Sequence, residues 1–152
     1  MPRFTPLNPE TVATLRSGGP DAYGSPAERA VSDGGGNPCR CCLRNIERGA
    51  PMLIAAARPF PDPQPYAETG PIFLHAQQCA PWEEEGVPPI ATSPDYLLKG
   101  YRADHRIAYG TGAIVPAAEI EAYAAKVLED PEIAFVDMRS ARNNCWQARI
   151  VR

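Results

Sequence analysis

Proline and glycine set the first limit on what this chain can become. Its 18 prolines and 12 glycines make up 30 of 152 residues, above the ordinary usage of both, and they recur without the fixed period of collagen or of a repeat array. Proline fixes φ and lacks the amide hydrogen that helix and sheet interiors require. The chain is therefore cut into many short elements joined by turns. The runs Asp33-Gly34-Gly35-Gly36-Asn37 and Pro59-Phe60-Pro61-Asp62-Pro63-Gln64-Pro65 can only be loops.

Between these breakers, short apolar runs over residues 28–32, 52–57, 72–75, 96–101, 106–109, 133–138 and 147–151 read as strands. A short helix fits from Pro9 to Ser17, with Val12 and Leu15 inward and Gly18-Gly19-Pro20 closing it. One longer helix follows Pro116. There Ile120, Tyr123, Ala124, Val127 and Leu128 share a face, Glu119 comes early, Lys126 late, and Pro131 lies beyond the end. Strands, one clear helix in the C-terminal half, then strands predict an α+β fold with a mainly antiparallel sheet, and the helix is expected to lie along it. No boundary interrupts the chain, so residues 1–152 are expected to form one domain. At this length a chain buries roughly 68–70% of the surface it exposes when unfolded, so no metal or disulfide is needed merely to obtain a core.

Charge and cysteine usage narrow the classes of function. Fifteen Lys and Arg against 18 Asp and Glu give a net charge of -3, without the basic excess of a protein that coats nucleic acid. Nucleic acid is thus a poor partner, and an unidentified protein or small molecule is the expectation. The start, Met1-Pro2-Arg3-Phe4-Thr5-Pro6, puts no apolar run behind its charge, and nowhere do about 18 apolar residues run together. The expectation is a cytoplasmic protein with no membrane association. Five cysteines in a reducing compartment point to thiolates for metal or chemistry rather than to disulfides.

Four residues concentrate that chemistry. Cys39 and Cys42 form a CxxC turn in Pro38-Cys39-Arg40-Cys41-Cys42, and His75 and Cys79 form HxxxC after Gly70-Pro71-Ile72-Phe73-Leu74. Two local chelating pairs can complete the tetrahedral set of three cysteines and one histidine that zinc takes, with iron as the alternative at a thiolate-rich site. The 32 residues between Cys42 and His75 make the ion a clamp between distant segments. Closing that loop costs about 3 kcal/mol beyond its constant term, small beside the roughly 10–16 kcal/mol of structural zinc binding.

Other readings compete. The four can be small buried residues. They can form a redox dithiol or a nucleophilic cysteine with His75 as base and Arg40 or Arg44 stabilising the thiolate, although Cys39 follows a Gly-rich loop instead of opening a helix after a buried strand. A metal-dependent enzyme would need one ligand position open to water. Cys41 and Cys145 stay outside the ligand set, with Cys145 as a substitute ligand.

Elsewhere, Asp104-His105-Arg106 reads as a solvated turn and Glu83-Glu84-Glu85 as an exposed run, while Arg139, Arg142, Arg149 and Arg152 either bind an anion or balance charge, Asp137 being one partner. Tyr66 and Glu68 are candidates to line a cleft opening from the cluster. Nothing matches a dinucleotide fingerprint, a Walker loop, HExxH or GxSxG.

The elements Asn37-Pro38-Cys39-Arg40-Cys41-Cys42-Leu43-Arg44, Gly70-Pro71-Ile72-Phe73-Leu74-His75 with Cys79, and Arg139-Ser140-Ala141-Arg142-Asn143-Asn144-Cys145-Trp146 are similar to a bacterial family known as domain of unknown function 1203. Its members are of about this length and carry PCRxCLR, GPIFxH and a Cys before an aromatic. The resemblance implies Cys39 and Cys42 over Cys41 and draws attention to Cys145-Trp146. It implies no substrate and no reaction.

Overall fold

A computed structural model describes all residues, Met1–Arg152. Eight strands and two α-helices follow one another as β1 (Arg3–Thr5), α1 (Pro9–Arg16), β2 (Glu28–Val31), β3 (Pro51–Ala57), β4 (Gly70–His75), β5 (Asp95–Tyr101), β6 (Ala113–Pro116), α2 (Ile120–Leu128), β7 (Phe135–Ser140) and β8 (Trp146–Val151). Every strand pair is antiparallel, in a five-stranded sheet ordered β1-β8-β7-β5-β6 and a three-stranded sheet ordered β2-β3-β4. The fold is α+β, as the alternation of breakers and short apolar runs predicts. No helix is long and apolar enough to cross a membrane.

Two cores result. The larger lies between α2 and the five-stranded sheet, where Leu98, Val136, Met138, Ala148 and Ile150 meet Ile120, Ala124 and Leu128. The smaller lies where α1, β3, β4 and the CxxC segment meet, with Val12, Leu15, Leu53, Ile72, Leu74 and three of the cysteines inside. The start of α1 is set by Asn8, whose Oδ1 accepts from the amides of Glu10 and Thr11 at 2.8 and 3.4 Å, a cap that stabilises a helix by about 1 kcal/mol. Pro9 occupies the first turn, where its missing amide is no loss. Val12 and Leu15 face inward as helical spacing requires.

The two cores are stitched by a bulge. Met138 pairs with Ala148, but Arg139 pairs with Trp146, so Gln147 is the extra residue between them. Strand side chains alternate faces, and one inserted residue reverses that alternation. Trp146 therefore leaves the face of Ala148 and enters the smaller core.

Two sequence expectations are corrected, and two strands appear that the sequence reading lacked. Residues 106–109 are not a strand: Asp104 Oδ1 accepts from the Arg106 amide at 3.1 Å, His105 has φ 64°, and only Ile107 bridges back to Tyr101. The run expected from residue 133 enters the sheet only at Phe135, because Ile133 closes the turn after α2 through its amide bond to the Asp130 carbonyl. β1 and β6, three and four residues long, are too short to show a period of their own; pairing to β8 and β5 creates them.

The arginines of the C-terminus take structural partners. Arg149 pairs with Asp137, Arg139 with Glu68, and Arg142 with Asp95. Arg152 donates to the carbonyls of Leu128, Asp130 and Ile133 just past α2, where the helix dipole favours a cation. Glu68 also takes a bond from Lys99 at 3.0 Å, so it holds the 58–69 loop to the sheet and lines no cleft at the cluster.

Candidate metal centre

The CxxC segment folds as a tight knuckle. The Cys39 amide donates to the Arg44 carbonyl at 2.9 Å, the Leu43 amide to the Cys39 carbonyl at 3.0 Å, and the Ile46 amide to the Asn37 carbonyl at 2.9 Å. Reversing the chain in so few residues puts Leu43 at φ 52°, a left-handed conformation that costs a non-glycine residue roughly 1–2 kcal/mol. Its side chain is fully buried in the larger core, and that burial offsets the strain. The Arg40 amide donates to the Phe73 carbonyl at 3.0 Å, which anchors the knuckle against β4 and aims Cys39 and Cys42 toward the strand end that carries His75.

The structure brings Cys39, Cys42, His75 and Cys79 together. One donor atom from each, three Sγ and an imidazole nitrogen, fall within 4.8 Å of one another. Cys39 Sγ lies 3.8 Å from Cys79 Sγ, and Cys42 Sγ lies 3.6 Å from His75 Nδ1. A tetrahedral ion with Zn–S near 2.3 Å and Zn–N near 2.0–2.1 Å requires S–S edges of about 3.8 Å and S–N edges of about 3.6 Å. Both edges fit.

The surroundings suit ionised sulfur. Cys39 Sγ accepts the His75 amide at 3.3 Å, and its thiol is pulled down to about 4, first by the bond from Cys42, against burial, and then by the amides of Cys42, His75 and Cys41. Cys42, holding the proton shared with Cys39 and buried beside it, is pushed up. Arg16, at the end of α1, donates from Nη2 to Cys79 Sγ at 3.0 Å and from Nε to the His75 carbonyl at 3.1 Å. His75 Nε2 meets Glu47 Oε2 at 3.1 Å. Burial disfavours the charged imidazole, yet the Glu47 and Cys39 bonds outweigh it and leave the His75 pKa raised. A carboxylate on the outer nitrogen fixes the ring so that Nδ1 faces the sulfurs, the usual support of a metal-bound histidine.

Arg16 and Glu47 are the functional residues that sequence reasoning missed. Nothing local signals Arg16, which stands 63 residues from Cys79. The two arginines expected to stabilise a thiolate turn elsewhere: Arg44 pairs with Glu84 on the surface, and Arg40 donates to the Trp146 and Pro38 carbonyls. Cys41 is buried in the smaller core, with burial and its contact with Cys79 pushing its thiol up to about 12. It lies outside the cluster, as does Cys145, whose Sγ is 3.7 Å from the Asn143 carbonyl. The buried-residue reading accounts for Cys41 but not for four donor atoms converging within 4.8 Å of one another. A nucleophilic Cys39 is disfavoured because the residue has no exposed surface and reactive thiols need access.

The family model described as "Protein of unknown function (DUF1203)" matches residues 36–152, which contain the knuckle, the His75–Cys79 pair and the Cys145-Trp146 element. No curated protein matches the chain. No solved structure matches it either.

Proposed function

The chain belongs to the DUF1203 family, and from that premise we propose that it is a cytoplasmic metal-clamped protein in which Cys39, Cys42, His75 and Cys79 hold one Zn²⁺ in a closed, structural site. The observation that carries this reading is the agreement of the two donor–donor edges, 3.8 and 3.6 Å, with a four-coordinate tetrahedron of three sulfurs and one nitrogen. Four protein donors leave no position for water, which favours a structural role over hydrolytic chemistry. Bound there, the ion would supply the cross-link between the knuckle and the end of β4 and no reaction of its own. Three thiolates around a divalent ion leave one net negative charge, and Arg16 stands against Cys79 to balance it.

Metal analysis of protein purified without added zinc tests this. About one ion per chain is expected in the wild type, and little in Cys42→Ser; a metal-free wild type overturns the reading. Cobalt exchanged into the site is expected to give the strong visible bands of tetrahedral, thiolate-rich coordination, and a weak octahedral spectrum would reject the closed site.

Glu47→Gln separates ligand from support. The variant keeps a hydrogen-bond acceptor on the outer nitrogen of His75 but removes the charge that raises ligand basicity. Metal affinity is expected to fall about 10–100-fold with the fold intact, read by competition against a chromophoric chelator. Unchanged affinity would remove Glu47 from the site.

A further inference from the structure

Arg40 sits beside two of the proposed ligands but serves a different site. It is 2% exposed, and a guanidinium so deeply buried costs several kcal/mol unless it is well paired. Its Nε donates to the Trp146 carbonyl at 2.7 Å and one terminal nitrogen to the Pro38 carbonyl at 2.6 Å. No carboxylate pairs with it, and Nη2 is neither bonded nor sealed from solvent. Arg40 lines a cavity of about 160 Å³ at the seam between the knuckle, β4 and the turn joining β7 to β8.

The wall of that cavity is chemically one-sided. Arg40 is the one charged residue in it, and Asn45, Ser93, Ser140, Asn143 and Cys145 supply amides, hydroxyls and a thiol. Of the charged residues that flank the lining segments, Asp95 pairs with Arg142, Arg44 with Glu84 and Arg139 with Glu68. A buried cation with neutral donors around it and no carboxylate in the wall makes a site that selects negative charge. The volume corresponds to about five water molecules, room enough for a small anion.

We propose that this cavity is a binding site for a small oxyanion, a carboxylate or a phosphate-like group, held by Arg40 and the surrounding amides and hydroxyls with the Cys145 thiol alongside. Cys145 makes the site readable, since its sulfur is partly exposed and its place on the wall reports what enters. The occupant's charge is read by Arg40.

The experiment compares two alkylating probes on the protein as purified, with Cys145 followed by peptide mass mapping. The Cys145 sulfur displaces iodide from iodoacetate or from iodoacetamide: the C–S bond forms, the C–I bond breaks, and the thiol proton passes to the buffer. An anion site is expected to raise the iodoacetate-to-iodoacetamide rate ratio at Cys145 at least about tenfold over the unfolded chain, equivalent to ~1.4 kcal/mol. The iodoacetate rate should saturate with concentration while the iodoacetamide rate stays linear. Ser93→Asp puts a carboxylate at an exposed position of the wall, does not disturb buried Arg40, and should abolish the preference. Acetate and inorganic phosphate are then added separately; the one that slows iodoacetate identifies the oxyanion class. A ratio equal to that of the unfolded chain, a preference that survives Ser93→Asp, or protection by neither anion would each overturn the proposal.

Discussion

Stripping the metal with a chelator at neutral pH is expected to open the knuckle and the end of β4 while α2 stays folded. The amides of Cys39, Leu43 and Ile46 are held by the knuckle's own hydrogen bonds, and in the proposed site a bound ion would join that segment to His75 and Cys79. Once the four donors are free, the segments are tethered only by chain and by part of the smaller core. Structural zinc contributes roughly 10–16 kcal/mol in small domains, of which about 3 kcal/mol offsets loop closure. Exchange at those three amides should therefore accelerate by about 10³-fold or more, a change of ~4 kcal/mol.

The larger core contains none of the four donors. Leu98, Val136, Met138, Ala148 and Ile150 pack on Ile120, Ala124 and Leu128, so the amides of α2 should keep their protection. Hydrogen exchange followed by mass spectrometry checks both halves, with Cys42→Ser as the metal-free control. Loss of protection in α2 at the same rate as in the knuckle would show that the cores are not separable. Unchanged protection at Cys39, Leu43 and Ile46 would show that the clamp holds nothing.

Asp137→Asn is expected to be the most damaging single change in the five-stranded sheet, at about 3–5 kcal/mol. Asp137 has no exposed surface. Its two oxygens accept from Arg149 Nε and Nη2 at 2.8 and 3.0 Å. The same guanidinium donates to the Pro59 carbonyl at 2.8 Å and lies 3.7 Å from the centre of the Phe135 ring, so it cannot swing out to water without uncovering the loop that carries Phe60. Asparagine keeps the shape, removes the charge and leaves a largely buried cation facing a neutral amide.

The double variant Asp137→Leu with Arg149→Met provides the contrast, since replacing both members of a buried pair by apolar groups is often neutral or stabilising. Urea midpoints at constant m-value measure both. A loss below ~1 kcal/mol in Asp137→Asn would show that the pair is solvated in practice.

Much of the fold was legible along the chain because its signals are local. Pro9, the spacing of Val12 and Leu15, and Gly18-Gly19 mark α1 without reference to anything else. Ile120 to Leu128 mark α2 in the same way, and short apolar runs between breakers mark β5 and most of β8. The strand expected at residues 106–109 fails because Asp104 bonds the Arg106 backbone and closes a turn that apolar content alone does not reveal. β1 and β6 exist only through their partners, since three or four residues carry no readable period.

Sequence by itself determined the kinds of donor and their pairing into CxxC and HxxxC, because chelate spacing is a property of a few consecutive residues. It also determined most of the strands and where both helices lie. Tertiary structure alone decided that the two pairs converge, that Arg16 faces Cys79 from 63 residues away, and that Glu47 orients His75. It decided as well that a one-residue bulge at Gln147 carries Trp146 into the smaller core, and that Arg40 sets a lone buried charge on a cavity wall. The reason is physical: a contact between distant segments leaves no periodicity in either of them, and a bulge reverses the alternation on which strand reading depends.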